Sequence, residues 1–455
     1  MQFIKYLFMI LIFSLTSCGT DEQDNKDIMT GLTLMTLDPG HFHAALVQKN
    51  MYDAVSPEVY VFAPAGDDLN LHLERIESYN NRENNPTRWE ERVYDGPDFF
   101  GQMIKKRPGN VVVLSGNNAK KTDYIFKSVE AGFNVLADKP MVISHDKFPL
   151  LEKAFQVAEE NNVLLFDIMT ERYEITTMLQ KALSQNNEIF GQLVSGCPDE
   201  PAVTKESVHH FFKYVSGSAL VRPPWFFDTQ QQGEGIVDVT THLVDLIQWE
   251  CYPGVILDKS DIEIITARRW PTIISAREFS DVTGLERFPS YLEKDITDGK
   301  LYVYANGEIV YKIRDTYARV VVEWKYEAPE GTGDTHYSII RGNRSNLIIR
   351  QGEQESYKPV LYLELNEQTP GFEEVIDMAL LELPWEGIEY TQINDTTWQF
   401  IIPEKYHAGH EAHFGQVTEK YLEYLKKGSL PEWEVPNMIV KYYTTTKALG
   451  RALGK

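Results

Sequence analysis

Between residues 31 and 167 the chain alternates short apolar runs with segments whose apolar residues recur at helical spacing. The apolar runs are LTLMTL, EVYVFA, NVVVLSG, NVLAD and NVLLFD. The helical segments include YIFKSVEAGF and FPLLEKAFQVAEENN. Continuous apolar strands that alternate with helices are typical of a parallel sheet covered on both faces. We therefore predict an α/β, Rossmann-like, doubly wound domain over residues 31–167.

The pattern changes after residue 167. A helical segment, EITTMLQKALS, precedes the stretch SVHHFFKYVSGSALVRPPWFFDT, which shows no clear period, and a second helix follows in GIVDVTTHLVDLIQWE. From about residue 257 to residue 402 the pattern is that of long strands, and Asn306-Gly307 within KLYVYANGEIVYKIRD is a strong hairpin signal. Helices return in GHEAHFGQVTEKYLEYLKKG and PNMIVKYYTTTKALGRAL. These features predict an α+β domain with a large, mostly antiparallel sheet over residues 168–455.

The first thirty residues have a different character. Lys5 precedes an apolar run, YLFMILIFSL, which is too short to span a bilayer and fits a signal peptide. The run leads into LTSC, which resembles the lipobox of bacterial lipoproteins, where the cysteine is lipidated and becomes the new N-terminus. We expect a lipoprotein signal peptide over residues 1–18, lipidation of Cys18 and a polar tether over residues 19–30. The alternative is an ordinary secretory signal with an incidental cysteine.

The net charge of the chain limits the kinds of molecule that it is expected to bind. The 455-residue chain has a formal net charge of −23, which argues against binding to nucleic acid or adsorption to anionic lipid. We expect an extracytoplasmic protein, in the periplasm or on the cell surface, that meets a bacterial membrane only through its N-terminal lipid.

Cysteine and histidine spacing gives no metal signature. Cys197 and Cys251 are expected to be two buried free thiols, and no cluster has the spacing of a zinc site. His407, His410 and His413 recur at i, i+3 and i+6, which aligns them poorly on one helix face. We therefore expect no metal.

Two segments carry candidate chemistry. In VLADKP, Lys139 follows directly on a buried strand, and in open α/β sheets ligands bind at the carboxyl ends of strands. Lys139 is either a donor to a substrate oxygen or a surface lysine in a turn. In GEGIVDVTTHLVD, Asp238, His242 and Asp245 fall on one helix face. A carboxylate beside an imidazole can make a general base, and a helix with an ordinary polar face is the alternative.

These segments together resemble the Gfo/Idh/MocA oxidoreductases over nearly the whole mature chain. VLADKP is similar to that family's strand ending in Glu-Lys-Pro, with Asp138 in place of the glutamate. GEGIVDVTTHLVD is similar to its glycine-rich segment leading to Asp-x-x-x-His, and the C-terminal segments resemble its closing helices. DPGHFH at the first turn completes a resemblance to the subgroup with a putative oxidoreductase C-terminal domain.

The resemblance implies NAD or NADP as the cofactor and a set of catalytic residues. Lys139 would hydrogen-bond the reacting hydroxyl or carbonyl oxygen. His242 would take the hydroxyl proton as hydride leaves the neighbouring carbon for the nicotinamide. Asp238 would lie between them, orienting the imidazole and binding substrate. Residues 31–167 would bind the dinucleotide, and residues 168–455 would serve the substrate and oligomerisation.

The first turn departs from the family's glycine-rich loop. Gly40 can still let the backbone approach a pyrophosphate, and a helix starting near His41 would offer free N–H groups. His41 or Phe42 would pack on the cofactor. Asp67 or Asp68 is the acidic group nearest the end of the second strand, which leaves NAD versus NADP open.

The other predicted cofactor contacts come from later strand ends. Asn118, in SGNNAKK, would line the nicotinamide side, as an asparagine often does in the family. Asp138, Lys139 and Pro140 complete the predicted cofactor-binding set.

Substrate contacts are predicted in the segment that precedes GEGIVDVTTHLVD. His210, Lys213, Arg222 and Trp225 offer aromatic and cationic groups that suit a sugar, together with Asp238. Core aromatic residues and a surface arginine are the alternative.

We therefore expect an NAD(P)-dependent oxidoreductase that acts on a sugar, a sugar derivative or a polyol. Free NAD(P) is scarce outside the cytoplasm, so the cofactor is expected to be tightly retained. A redox-assisted, NAD-dependent glycosidase or lyase is one alternative. A carbohydrate-binding lipoprotein without catalysis is another. A homo-oligomer through an exposed sheet face is compatible with the pattern.

Overall fold

The computed structural model describes residues 31–215 and 218–455. It contains a parallel sheet flanked by helices and a larger, mostly antiparallel sheet, so the predicted fold class is confirmed. The predicted signal peptide, tether and Cys18 lie outside these residues. No helix in the described part of the chain is long and apolar enough to cross a bilayer.

The first sheet has six parallel strands in the order β3-β2-β1-β4-β5-β6. The strands are β1 Leu34–Leu37, β2 Glu58–Phe62, β3 Glu90–Tyr94, β4 Val111–Leu114, β5 Asn134–Asp138 and β6 Leu165–Ile168. The helices of this part are α1 His43–Leu46, α2 Asp67–Asn81, α3 Phe99–Lys106, α4 Asn118–Glu130 and α5 Phe148–Glu160. Strand β3 has no apolar run to predict it, because it lies at the sheet edge with most of its side chains partly or fully exposed.

The second sheet has ten strands, of which nine follow the order β10-β12-β13-β7-β14-β15-β16-β18-β17. Its strands are β7 Val203–Phe212, β10 Ile262–Ile274, β11 Ile296–Thr297, β12 Lys300–Ile313, β13 Thr316–Glu327, β14 Thr335–Arg341, β15 Ser345–Arg350, β16 Val360–Leu365, β17 Glu389–Asn394 and β18 Thr397–Ile401. The short strands β8 Tyr214–Val215 and β9 Ser218–Ala219 pair with each other. All pairings in the large sheet are antiparallel except that of β7 with β13.

Helices cover one side of this sheet and return to the first. They are α6 Ile175–Ser184, α7 Thr229–Gln232, α8 Thr240–Cys251, α9 Ala276–Thr283, α10 Phe372–Leu381, α11 His410–Lys427 and α12 Glu434–Ala452. Phe414 and Tyr421 of α11 and Tyr442 of α12 are buried in the same apolar core as strands β1, β4 and β5. The closing helices therefore complete the core of the first sheet.

The predicted hairpin turn at Asn306-Gly307 is wrong. Strand β12 runs straight through both residues, and the chain turns only after Ile313. The Asn306 amide donates to the Trp270 carbonyl, and a Cβ on Gly307 would lie 2.8 Å from the Cα of Ile236. The two residues that suggested a turn instead allow the segment before α8 to lie directly against the strand.

The segment predicted as irregular contains a central strand. SVHHFF forms the second half of β7, which pairs with β13 on one side and β14 on the other. Its burial does not alternate cleanly between apolar and polar residues, because polar side chains such as Lys205 and His210 are buried on it.

Cys197 and Cys251 are both free thiols, as expected. Cys197 is exposed and Cys251 is half-buried, so the expected burial is found at neither position.

Candidate active site

A cavity of about 900 Å³ opens at the carboxyl ends of the parallel strands and reaches the second sheet. Nine residues predicted as site residues line it: His41, Phe42, Asn118, Asp138, Lys139, Lys213, Arg222, Asp238 and His242. Gly40, Pro140, His210 and Trp225 do not line it. The cavity therefore brings the two predicted motifs together although they are about a hundred residues apart.

Lys139 and Asp238 form an ion pair in the wall of this cavity. The Lys139 Nζ donates to Asp238 Oδ1 at 2.7 Å, and Gln232 Nε2 donates to Asp238 Oδ2 at 3.0 Å. Asp238 lies in the turn before α8, and Gly235 allows that turn to approach β12, since a Cβ there would be 1.7 Å from the Ala305 carbonyl oxygen. Strand β5 and this turn thus hold an ammonium and a carboxylate facing one space.

His242 is not oriented by Asp238. Its Nδ1 is buried and has no hydrogen-bond partner in the part of the chain that the structure describes, and the Asp238 carboxylate is engaged by Lys139 and Gln232 instead. Burial and the nearby Lys139 charge hold the pKa of His242 well below its ordinary value. The imidazole is therefore neutral at physiological pH and free to accept a proton.

Asp245, which the helical spacing grouped with these residues, has a different role. Its carboxylate accepts two hydrogen bonds of 2.7 Å from Arg172 and one of 2.8 Å from Lys441. It belongs to a buried ion network behind the cavity and does not contact His242 through a hydrogen bond.

The first turn is more closed than predicted. The N–H of Gly40 donates to the Asp38 carbonyl and that of His41 to the Ser115 carbonyl, so neither is free. Helix α1 has only four residues. A Cβ on Gly40 would lie 2.9 Å from Asp68 Oδ2 and 3.0 Å from the Trp225 ring. At Gly40 and His41, therefore, the amide groups are not available to a ligand as expected.

Trp225 covers the first turn and does not line the large cavity. Its Nε1 donates to Asp68 Oδ2 at 2.9 Å. Asp68, one of the two acids predicted to reach a ribose, is therefore already engaged by this hydrogen bond. A small space beside Gly40 is lined by two cations, Arg75 and Arg222. Among the described residues neither makes an ion pair, and Arg222 is buried, with its guanidinium donating to the carbonyls of His210 and Phe211.

Asn118 begins α4 in the cavity wall. Its amide donates to the Gln232 carbonyl at 2.7 Å, which joins the loop between β4 and α4 to the segment before Asp238. Pro140 is buried behind Lys139, outside the cavity.

The opposite wall is built around Asp334, which the sequence did not single out. His209 Nδ1 lies 2.9 Å from one oxygen of this carboxylate, His210 Nδ1 lies 3.3 Å from the other, and Lys213 donates to it. His209, stacked 5.0 Å from the Trp324 ring, lines the cavity. The predicted contact His210 is buried and does not line the cavity, although its imidazole reaches the same carboxylate.

Glu171 is a second cavity residue that the sequence did not single out. Burial and the neighbouring Glu174 charge raise its pKa to about 7. It lies in a short turn just after β6, so the rule that drew attention to Lys139 at the end of β5 applies to it equally. A carboxyl group that exchanges its proton near neutral pH thus faces the same space as Lys139 and His242.

Comparisons with known proteins agree with this architecture. Residues 179–453 match the family described as "putative oxidoreductase C terminal domain". The crystal structure of a putative oxidoreductase from Parabacteroides merdae ATCC 43184 is 52% identical, covers 93% of this chain and 98% of that chain, and superposes with a TM-score of 0.91. No curated protein matches the sequence significantly.

More distant structures share the fold alone. Levoglucosan dehydrogenase in complex with NADH and levoglucosan is 11% identical, with 93% of this chain and 97% of that chain covered and a TM-score of 0.57. KijD10, a 3-ketoreductase from Actinomadura kijaniata in complex with NADP and TDP-benzene, is 12% identical, with 92% and 96% covered and a TM-score of 0.54.

Proposed function

Because the chain belongs to the family described as "putative oxidoreductase C terminal domain", we propose that it is a Gfo/Idh/MocA-type, NAD(P)-dependent oxidoreductase. Its substrate would be a sugar, a sugar derivative or a polyol. The observation that carries this proposal is the Lys139–Asp238 ion pair in one cavity with a neutral His242, whose Nδ1 has no hydrogen-bond partner among the described residues. The levoglucosan ligand of one structure of the same fold and the nicotinamide cofactors of two such structures support it.

The three residues divide the work as follows. Lys139 hydrogen-bonds the reacting oxygen of the substrate, and its ammonium stabilises negative charge as that oxygen loses its proton. His242 accepts the proton, since burial keeps its imidazole neutral. Asp238 positions the Lys139 ammonium and accepts a hydrogen bond from a neighbouring substrate hydroxyl. A bound nicotinamide supplies the hydride acceptor.

The donor set fits a dinucleotide held chiefly by side chains. Arg75 and Arg222 flank the Gly40 turn without carboxylate partners among the described residues, so they can neutralise phosphate charge where the turn's amides are engaged. Asn118, Asp138 and Lys139 line the side of the cavity next to the first sheet, and the cavity's volume accommodates a nicotinamide and a sugar. His41 and Phe42 lie between these two regions because they line both spaces.

We further propose that the cofactor is retained between turnovers, which suits a compartment poor in free NAD(P). Denaturing the purified protein is expected to release about one NAD(H) or NADP(H) per chain, detected by absorbance and mass spectrometry. If no nucleotide is released and none binds when added, the redox proposals fail and a carbohydrate-binding lipoprotein becomes the better account.

A redox-assisted glycosidase or lyase is a second candidate, and Glu171 favours it. A carboxyl group with a pKa of about 7 can move the extra proton that an elimination requires beside the oxidised carbon. Incubation with a panel of glycosides is expected to yield cleaved product, and Glu171→Gln to lose cleavage while keeping ketosugar formation. Accumulation of ketosugar alone by the wild-type protein would rule this candidate out.

We also propose that residues 1–18 are a lipoprotein signal peptide and that Cys18 anchors the protein at a bacterial membrane outside the cytoplasm. The LTSC motif after an apolar run supports this. Mass spectrometry of the mature N-terminus should find a diacylated or triacylated Cys18, and Cys18→Ser should move the protein to the soluble fraction. An unmodified Cys18 would refute the anchor.

A further inference from the structure

Two histidines of the first turn converge with Asp138 on one point. His43 Nδ1 lies 2.9 Å from Asp138 Oδ2, and His41 Nδ1 lies 3.9 Å from the same oxygen. The three residues each offer one ligand atom, and these atoms lie within 4.8 Å of one another. All three residues line the large cavity. We propose that His41, His43 and Asp138 bind a divalent transition-metal ion, with Zn²⁺ as the probe.

The spacing is close to that of an occupied site. Atoms bound to one such ion lie about 3–3.5 Å apart, because metal–ligand bonds are about 2.0–2.2 Å long. The His43–Asp138 distance is slightly shorter than this and the His41–Asp138 distance slightly longer. His41 Nδ1 also accepts the His43 N–H at 3.4 Å, so the His41 ring would have to rotate out of that contact to complete the set. Two imidazoles and one carboxylate are a donor set that Zn²⁺ and Fe²⁺ both accept.

The surrounding hydrogen bonds prepare these ligands. The Ser115 hydroxyl donates to Asp138 Oδ2 at 2.9 Å, which fixes the carboxylate from behind. The same oxygen faces the imidazoles of His41 and His43, so this hydrogen bond holds it toward both rings. Metal binding through Nδ1 of His43 would require the proton of its neutral ring to lie on Nε2.

Two lysines lie near the cluster, and one of them is paired with a carboxylate. Lys139 is neutralised by Asp238 at 2.7 Å. Lys121 donates to the Asp138 backbone carbonyl at 2.9 Å and leaves the carboxylate oxygens to the two histidines and Ser115. His410 also lines the cavity, with its ring 5.5 Å from that of His43.

This site does not depend on the proposed redox function, and it replaces the expectation of no metal. That expectation considered the histidines of α11 and the cysteines. Neither group forms the cluster, which brings residues of the first turn to the end of β5. The ion would lie beside Lys139, where a Lewis acid can bind a substrate oxygen.

The test is a metal titration of the full-length protein. The protein is purified without a histidine tag, and any bound metal is removed with a chelator. Calorimetry with Zn²⁺ in excess Mg²⁺, which occupies carboxylate-only sites, is expected to show about one ion per chain. His41→Ala and His43→Ala are expected to weaken binding at least about tenfold. His209→Ala is the matched control, since it removes another imidazole bonded to a carboxylate in this cavity, and its affinity should be unchanged.

Circular dichroism verifies that each variant is folded, and His41→Asn replaces His41→Ala if the latter is not. Substoichiometric binding by the wild-type protein, or equal affinity in the folded His41 and His43 variants, would overturn the site. Nucleotide content is measured on the same samples. Metal without nucleotide would leave this site standing and defeat the redox proposal, and nucleotide without metal would do the reverse.

Discussion

At the scale of single residues, the charge of Lys139 acts on its neighbour His242. Burial is the largest cause of the low pKa of His242 and the Lys139 ammonium is the next. A base whose pKa is low stays deprotonated as the pH falls, so its function persists in mildly acidic solution. We therefore expect His242 to take up its proton from the substrate and not from the solvent.

This coupling predicts the outcome of Lys139→Met. The substitution removes the positive charge, so we expect the pKa of His242 to rise toward its ordinary value while turnover is abolished. Titration of the imidazole resonances by NMR measures the shift, and retained nucleotide shows that the cavity is intact. A matched control, Lys147→Met, removes a lysine paired with Asp123 on the surface and should leave both quantities unchanged. An unaltered His242 titration in Lys139→Met would contradict the assigned coupling.

At the scale of elements, the segment before α8 depends on two glycines at its contact with β12. A Cβ on Gly235 would lie 1.7 Å from the Ala305 carbonyl oxygen, and one on Gly307 would lie within 3 Å of the Ile236 backbone. The Gly235 N–H donates to the Tyr304 carbonyl at 3.1 Å. This close contact determines how far Asp238 reaches into the cavity.

Gly235→Ala is therefore expected to push the segment away from the strand. We expect a loss of about 1–3 kcal/mol in the free energy of unfolding, as in other overpacked sites, together with a lower kcat. Urea denaturation and steady-state kinetics measure the two effects. Gly96→Ala is the control, because a Cβ there meets nothing within 4 Å. Equal stability of the two variants would show that the contact can relax.

The sequence predicted the parallel sheet well because each buried strand carries its own apolar run, as in VVVL of β4. It placed Lys139 correctly in a cavity because the end of a buried strand is a local feature. It misread Asn306-Gly307 and β7, since their roles depend on partners distant in the chain. Asp334 and the His43–Asp138 contact were missed for the same reason: neither has a local pattern.

At the scale of the whole molecule, a buried ion network connects strand β6 of the first sheet to helices α8 and α12. Lys441 of α12 contacts Asp167 of β6 at 2.7 Å and Asp245 of α8 at 2.8 Å. Arg172 bridges Asp245 and Glu434. These side chains are almost fully removed from solvent, so each charge depends on its partners.

Lys441→Met would leave two buried carboxylates without their shared cation. We expect a loss of about 3–5 kcal/mol in the free energy of unfolding, measured by chemical denaturation. Lys420→Met is the control, because its pair with Glu423 lies on the surface and such pairs contribute about 0–1 kcal/mol. Near-equal losses in the two variants would mean that water reaches the network.

The same network predicts that the protein loses stability as the pH becomes acidic. Although burial alone would raise it, Arg172 and Lys441 hold the pKa of Asp245 below its ordinary value. A lowered carboxyl pKa contributes stability above the unfolded value of about 3.9, and this contribution is lost as the pH falls below it. Thermal melts between pH 6 and 3 should therefore show a decline that is steeper than in Asp245→Asn. Parallel declines in the two proteins would exclude Asp245 as the cause.

The two closing helices have a consequence for biosynthesis. Strands β1 to β6 are made first, yet Phe414, Tyr421 and Tyr442, which complete their core, are translated more than two hundred residues later. Until then the nascent chain presents uncovered apolar surface around Phe166 and an unpaired Asp167. The order of synthesis thus delays the first domain's completion to the end of translation, and the unfinished chain is a natural client for a holding chaperone.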